Sequence, residues 1–329
     1  MKRLAAYLIL SLPLHTMTHN LAAQEKQAPQ KIIIDTDIGD DIDDVFAVGL
    51  ALNSPELKIL GITSAWGDTK LRARLLDRLL RETGRGDIPV AVGIERHAAK
   101  EGAFSQAPWA RQEPERPHPD AVGFLLDQIR KNPGEITLVA IAPETNLAAA
   151  LARDPATFKK LKRIVLMGGS VHLGYDDRAP LLLNPPDPEY NIAMDIPSAQ
   201  AVFTSGIPLD VMPLDSTQLK LGEGPRHLLF TQATPLTDAL TLLYQQWFAE
   251  TKQSTPTMFD AVAVAFAIDP KQCPVTPLHL EVDRQGYTRE TPGPANASVC
   301  LKSDTDVFLR FYLPRLLHET TTGSPHHAH

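Results

Sequence analysis

The sequence predicts an α/β fold: a single domain with a mainly parallel central sheet flanked by helices. Three observations carry that prediction. Apolar, β-branched runs alternate with helical stretches five times between Lys31 and Gly169, the pattern of a parallel sheet covered on both faces. Polar residues recur where those runs end, at Asp37 to Asp44, Asp68, Asn146 and, later, Glu189 with Asn191. No internal repeat and no Gly/Ser linker marks a boundary, so 31–318 reads as one domain.

The elements follow in order. Ile32-Ile33-Ile34 is a buried strand running into an acidic loop, and a helix from Asp43 to Asn53 stops at Ser54-Pro55. Leu57–Ser64 is a second strand, followed by an amphipathic helix on Leu71, Leu75, Leu76, Leu79 and Leu80 that closes near Gly84. A short strand at Ile88–Val92 leads into a long polar, proline-rich loop, Gly93 to Pro119, of the length expected for a lid or binding loop. Asp120–Lys131 is helical, Ile136–Ile141 a strand, Asn146–Ala152 a helix and Arg163–Met167 a strand ending in Gly168-Gly169. A second long loop covers His172 to Asn191. Pro197–Ser205, Leu236–Lys252, Asp260–Ile268 and Asp306–Leu317 read as helices, and Leu209–Met212, Leu278–Val282 and Ala297–Leu301 as strands.

The first loop is the centre of the chemistry. Six aspartates (35, 37, 40, 41, 43 and 44) fall within ten residues, at the carboxyl end of a strand where open α/β sheets place ligands. Carboxylates this close repel one another unless a cation or a helix N-terminus offsets them. A hard divalent cation held by oxygen, Ca²⁺ or Mg²⁺, is the simplest answer. The loop is not an EF-hand, because counting from Asp35 puts Asp40 at the glycine position and Phe46 at the glutamate position. Nor is it a phosphate cradle, since one glycine among six acids repels phosphate. Singly, Asp68, Asn146 and Asp260 also fit helix N-caps; together they converge on one sheet edge.

Bulk properties bound the function classes. With 43% hydrophobic and 22% charged residues, the chain can bury a large core, and a net charge of −7 argues against nucleic-acid binding. Residues 1–23 read as a secretory signal: Lys2-Arg3, the apolar Leu4–Leu14, then Leu21-Ala22-Ala23 as a cleavage site. Export to the periplasm or medium follows, with no membrane association after cleavage and a mature charge of −7 − 2 = −9. Cys273 and Cys300 are either a disulfide or two buried thiols. The tail 319–329 is polar, with three histidines in its last four residues, and is expected to be disordered.

On these motifs the chain resembles the nucleoside hydrolases, the inosine/uridine-preferring ribohydrolases of purine and pyrimidine salvage. The resemblance rests on Ile33-Ile34-Asp35-Thr36-Asp37-Ile38-Gly39 with the acids after it, on Leu60-Gly61-Ile62-Thr63 leading to Gly67-Asp68, and on Thr137 through Asn146. Met167-Gly168-Gly169 and Pro188-Glu189-Tyr190-Asn191-Ile192 complete it. It implies hydrolysis of the N-glycosidic bond of ribonucleosides by a water oriented on Ca²⁺. It further implies Asp37, Asp44, the Ile141 carbonyl and Asp260 as metal ligands, and Asp43 as the general base. Glu189, Asn191 and Asn184 would hold the ribose, with Asp68 where the family has Asn. Homo-oligomer formation is left open.

The chain departs from that pattern. Asp40-Asp41 is extra, so Asp41 could take the role of Asp43 or Asp44. Ala142 replaces Gly, and Glu144 stands where an apolar residue is usual. Phe259 occupies the place of the histidine that protonates a purine leaving group, so His97, in the loop after the third strand, is the preferred substitute over His118 and His172. Two other readings compete. A haloacid-dehalogenase-like phosphatase would use Asp35 or Asp37 as the phosphoryl acceptor. A non-catalytic, Ca²⁺-dependent ribose or nucleoside binder would explain Phe259.

Overall fold

The computed structural model describes residues 28–96, 104–176 and 184–318. The chain runs β1 (Gln30–Thr36), α1 (Asp43–Leu52), β2 (Leu57–Ser64), α2 (Thr69–Glu82), β3 (Val90–Ala91), α3 (Ala107–Ala110), α4 (Ala121–Lys131), β4 (Thr137–Ile141), α5 (Thr145–Arg153), α6 (Pro155–Phe158) and β5 (Arg163–Met167). It continues α7 (Tyr190–Met194), α8 (Ile196–Phe203), β6 (Leu209–Met212), α9 (Leu214–Thr217), α10 (Glu223–Phe230), α11 (Pro235–Thr251) and α12 (Phe259–Ile268). Strands β7 (Thr276–Leu278), β8 (Leu280–Val282), β9 (Thr288–Glu290) and β10 (Ala297–Val299) precede α13 (Thr305–Leu317).

The sheet has eight strands in the order β3-β2-β1-β4-β5-β6-β10-β7, all parallel except β7, which pairs antiparallel with β10. Successive side chains of a strand alternate faces. Ile32 and Ile34 therefore join the core under α1, α11, α12 and α13, while Ile33 joins the core under α4, α5 and α8. The chain winds outward from β1 to β3, then returns to β4 on the other side of β1. That reversal opens a crevice beyond the carboxyl ends of β1 and β4, the place such sheets offer a ligand.

The expected α/β architecture with a mainly parallel sheet is the one observed. Two expectations are corrected. The strand expected over Leu278–Val282 is divided at His279: Leu278 pairs with Ala297 in the main sheet, whereas Leu280 pairs with Glu290 in a separate two-stranded sheet. Asn296 makes the break by accepting from Leu280 N at 2.8 Å and donating to Leu280 O at 2.9 Å. Asn146 is no cap; it lies within the first turn of α5, and its amide bonds Asp35 at 2.8 Å and Ser64 O at 3.0 Å. The open question of the cysteines is answered by a Cys273–Cys300 disulfide. The signal segment, His97 and the tail lie outside the described residues.

Candidate active site

The acidic loop is held from beneath. Thr36 closes β1 by accepting from Ile38 N at 3.1 Å and donating its hydroxyl to Asp44. Gly39 sits at φ +127°, and a Cβ there would come within 2.6 Å of the Phe104 ring, so the close approach requires glycine. Gln106 and Ser105 bind the loop carbonyls, with Gln106 Nε2 on Asp41 O at 2.8 Å and Ser105 Oγ on Asp40 O at 2.7 Å. Arg72 is buried below, donating to Trp66 O at 2.8 Å, to Ile38 O at 2.9 Å and to Asp37 O. Its guanidinium stacks 4.9 Å from the Phe104 ring centroid. One fixed positive charge therefore lies behind the acids, without entering the crevice.

Above the loop, two helix starts converge. Asp43 and Asp44 open α1, Asp260 lies in the first turn of α12, and neither helix has a side-chain cap of its own. Asp43 Oδ2 instead accepts from Asp260 N at 3.3 Å. Oxygens of Asp43, Asp44 and Asp260 all lie within 4.8 Å of one another, and all three residues are buried. Burial pushes each of these carboxyls well above the ordinary range, and neighbouring acids add to the rise: Asp41 at Asp43, Asp37 and Asp43 at Asp44, and Asp43 and Asp44 at Asp260. Asp37 is pushed up to about 6 by burial, with Arg72 opposing and Asp40 and Asp41 adding to the rise. Three buried, crowded carboxylates where two helix N-termini meet fit a hard divalent cation well: oxygen donors, converging geometry and unbalanced negative charge.

A cavity of about 370 Å³ opens over this cluster. Its floor includes Asp37, Asp43, Asp44, Asp260 and Ile141, so every expected metal ligand lines the same space. Glu189 and Asn191 line it too. Glu189 caps α7, accepting from Asn191 N at 3.0 Å, Ile192 N at 3.2 Å and Gly169 N at 2.9 Å. Burial lifts its carboxyl to about 7 against those three amides. Asn191 donates to Met167 O at 3.0 Å, which ties it to the end of β5. Both side chains are thus set before any ligand arrives. The two candidate bases differ in setting: Asp43 lies in the buried cluster, whereas Asp41 is exposed and bonded by the Trp247 side chain, yet its charge is the chief neighbouring influence raising Asp43.

The outer wall is aromatic. Tyr175, Tyr190, Trp247 and Phe259 line it, with Tyr175 edge-on to Phe259 at 6.3 Å between centroids. Tyr175, Trp247 and Arg72 were not singled out from the sequence. Only Arg72 left a signal there, as a charge within the apolar stripe of α2, four and seven residues before Leu76 and Leu79.

Other expected residues sit elsewhere. Asp68 is the N-cap of α2, accepting from Leu71 N at 2.9 Å, and is not among the residues lining the cavity. Asn184 does not line it either; its amide donates to Tyr175 O at 2.6 Å and so positions that ring's backbone. His118 is bound to Asp77 at 3.0 Å and faces Val90 O, and His172 is an exposed partner of Glu290 at 3.2 Å. Asp35, the acceptor in one phosphatase reading, is fully buried and engaged with Thr63 and Asn146. A carboxylate so sealed cannot reach a phosphate.

Residues 32–310 match the model of the inosine-uridine preferring nucleoside hydrolases. Uridine nucleosidase 1 of Arabidopsis thaliana is 37% identical over 212 residues, which is 59% of this chain and 59% of that protein, somewhat under two thirds of its length. The pyrimidine-specific ribonucleoside hydrolase RihB of Escherichia coli O1:K1 is 28% identical, over 85% of this chain and 94% of its own. Among solved structures, the plant nucleoside hydrolase PpNRh1 superposes with a TM-score of 0.76 at 26% identity, covering 88% of this chain and 99% of that one. A purine-preferring ribonucleoside hydrolase from Gardnerella vaginalis gives 0.72 at 25% identity, covering 88% and 98%.

Proposed function

The chain belongs to the inosine-uridine preferring nucleoside hydrolase family, and from that premise we propose that its pocket hydrolyses the N-glycosidic bond of ribonucleosides, giving ribose and free base, with Ca²⁺ bound. The observation that carries the reading is the buried meeting of Asp43, Asp44 and Asp260 beneath a cavity that Glu189 and Asn191 also line. Asp37, Asp44, Asp260 and the Ile141 carbonyl would hold the cation, which would lower the pKa of an attacking water and offset the crowded charge.

Asp43 takes the proton of that water, the work of a general base. Glu189 and Asn191 receive ribose hydroxyls on side chains already fixed by backbone partners, so little ordering remains on binding. The reaction passes through a ribosyl cation with oxocarbenium character, as in glycoside hydrolysis. The carboxylates around the sugar favour that developing positive charge. The base would lie against Phe259, Trp247 and the two tyrosines. Export to an oxidising compartment belongs to the same proposal, and the Cys273–Cys300 disulfide favours it.

The binder reading keeps one observation in its favour, Phe259 at the start of α12. Release of ribose reducing ends from a panel of nucleosides, with and without a chelator, separates the two. Chelator-sensitive release is expected. Binding of nucleosides with no release from any of them would favour the binder.

A further inference from the structure

The loop that carries Asp37 and Asp44 is held along its carbonyl edge. Arg72 donates to Asp37 O and, at 2.9 Å, to Ile38 O. Gln106 N reaches Gly39 O at 3.1 Å, Ser105 Oγ reaches Asp40 O at 2.7 Å, and Gln106 Nε2 reaches Asp41 O at 2.8 Å. Ile42 O accepts from Phe46 N at 3.4 Å, in the first turn of α1. Carbonyls 37 to 42 are therefore all bound, while Asp37, Asp40, Asp41, Asp43 and Asp44 of the same stretch line the cavity. The donors are themselves anchored. Gln106 is fully buried just before α3, and Arg78 fastens α3 to α2, donating to Trp109 O at 2.8 Å with its guanidinium 4.2 Å from that ring's centroid. Arg74 donates to Arg111 O at 2.7 Å, and Arg81 pairs with Glu113 at 2.8 Å. Helix α2 thus holds the first part of the loop directly, through Arg72, and the second part by way of α3 and the Ser105–Gln106 turn.

We propose that Ser105 and Gln106 are positioning residues of the metal site, setting the spacing of Asp37 and Asp44 before the cation arrives. The inference rests on the Ca²⁺ site proposed above, but not on which bond is hydrolysed there. Asp37 stands at one end of the clamped stretch and Asp44 two residues beyond the other. A free loop between them would have to be ordered by the cation, and that entropy would be lost from the affinity. Asp40 and Asp41, the pair by which this loop departs from the motif, are the residues whose carbonyls the two side chains hold. Ser105 and Gln106 are not among the residues lining the cavity, so they act on a bound cation only through the loop.

The test uses Gln106→Met, which removes the donor and nearly keeps the buried volume, with Ser105→Ala, which removes the hydroxyl, and Ser105→Thr, which retains it. Ca²⁺ binding to the chelator-stripped full chain is measured by isothermal titration calorimetry. Gln106→Met should raise the Kd for Ca²⁺ by about 10–100-fold, the scale of losing a group that orients a metal ligand. Ser105→Ala should weaken binding in the same direction, and Ser105→Thr should restore it. The Tm gap between Gln106→Met and wild type should be wider with about 1 mM Ca²⁺ than in EDTA, because only the cation-bound state loses the preset loop. An unchanged Kd in Gln106→Met would overturn the inference whatever the activity, as would a Tm gap equal in both conditions, the mark of a merely structural contact. Should Gln106→Met fail to fold, equal Kd values for Ser105→Ala and wild type overturn it instead. Weakened Ca²⁺ binding in the variants of a chain that releases ribose from no nucleoside would uphold this inference and remove the hydrolytic reading. A wild-type chain that binds no Ca²⁺ overturns the inference and the cation site together.

Discussion

Glu144 ends the β4 loop as the N-cap of α5, yet its side chain makes no capping bond. It is fully buried, and neither carboxyl oxygen reaches a hydrogen-bond partner among the described residues. Burial raises its pKa well above 4.5, its own backbone amide opposes the rise, and Glu189, Asp195 and Asp35 add to it. A buried polar group left unpaired costs about 1–3 kcal/mol. Leucine is close to glutamate in size and lacks that cost, so Glu144→Leu should stabilise the fold by about that amount. On a chain of this length the gain corresponds to a rise in Tm of about 2–6 °C. The pH dependence has a definite sign. Because the folded pKa is raised, the folded protein keeps a proton that the unfolded chain releases above about pH 4.5. Wild-type stability contributed by this group is complete below that pH and falls as pH rises toward the folded pKa. The Leu variant has no such loss, so its advantage should widen from pH 5 to pH 8. Glu144→Gln should remove the pH-dependent part and keep the unpaired polar atoms. Thermal unfolding by circular dichroism of the three proteins at the two pH values measures this. A Leu variant less stable than wild type at both, or an advantage that does not grow with pH, would refute the reasoning.

Further outcomes test the site. Asp44→Ala or Asp260→Ala should abolish hydrolysis and remove the thermal shift on adding Ca²⁺; normal metal affinity in either would displace that residue from the ligand set. Asp43→Asn should keep the Ca²⁺ shift but lower kcat by about 10²–10⁴-fold, whereas a loss of that size from Asp41→Asn alone would move the base to the mouth. Phe259→His should raise kcat/KM for uridine and inosine by about tenfold or more, and by a larger factor than for nitrophenyl riboside; no gain would mean that the start of α12 does not face the leaving group. Cys273→Ser should cost about 3–4 kcal/mol in urea unfolding, from loop closure across the sequence separation of 27. Addition of reductant should then leave the variant unchanged.

Much of this molecule is legible along the chain because its signals are local. The three isoleucines of β1, the acids after them and the apolar run of α1 lie within a few residues of one another, so period and composition reveal a strand, an acidic loop and a helix. Glu189 and Asn191 are legible for the same reason, as a short motif at a helix start. What tertiary structure decided is which of the polar strand ends share a space. Asp68, Asn184 and Asn146 look like site residues in the sequence, but their side chains are used for a cap, a loop tie and a buried bond to Asp35. Asp260 reaches Asp43 across 217 residues, and no local pattern encodes that contact. Of the aromatic wall, Phe259 and Tyr190 stand in legible motifs, but Tyr175 and Trp247 read as ordinary loop and core positions until α7, α11 and α12 pack around one opening. Periodicity reports which side of an element faces inward, but only the order β3-β2-β1-β4, reversing at β1, determines which loops meet there.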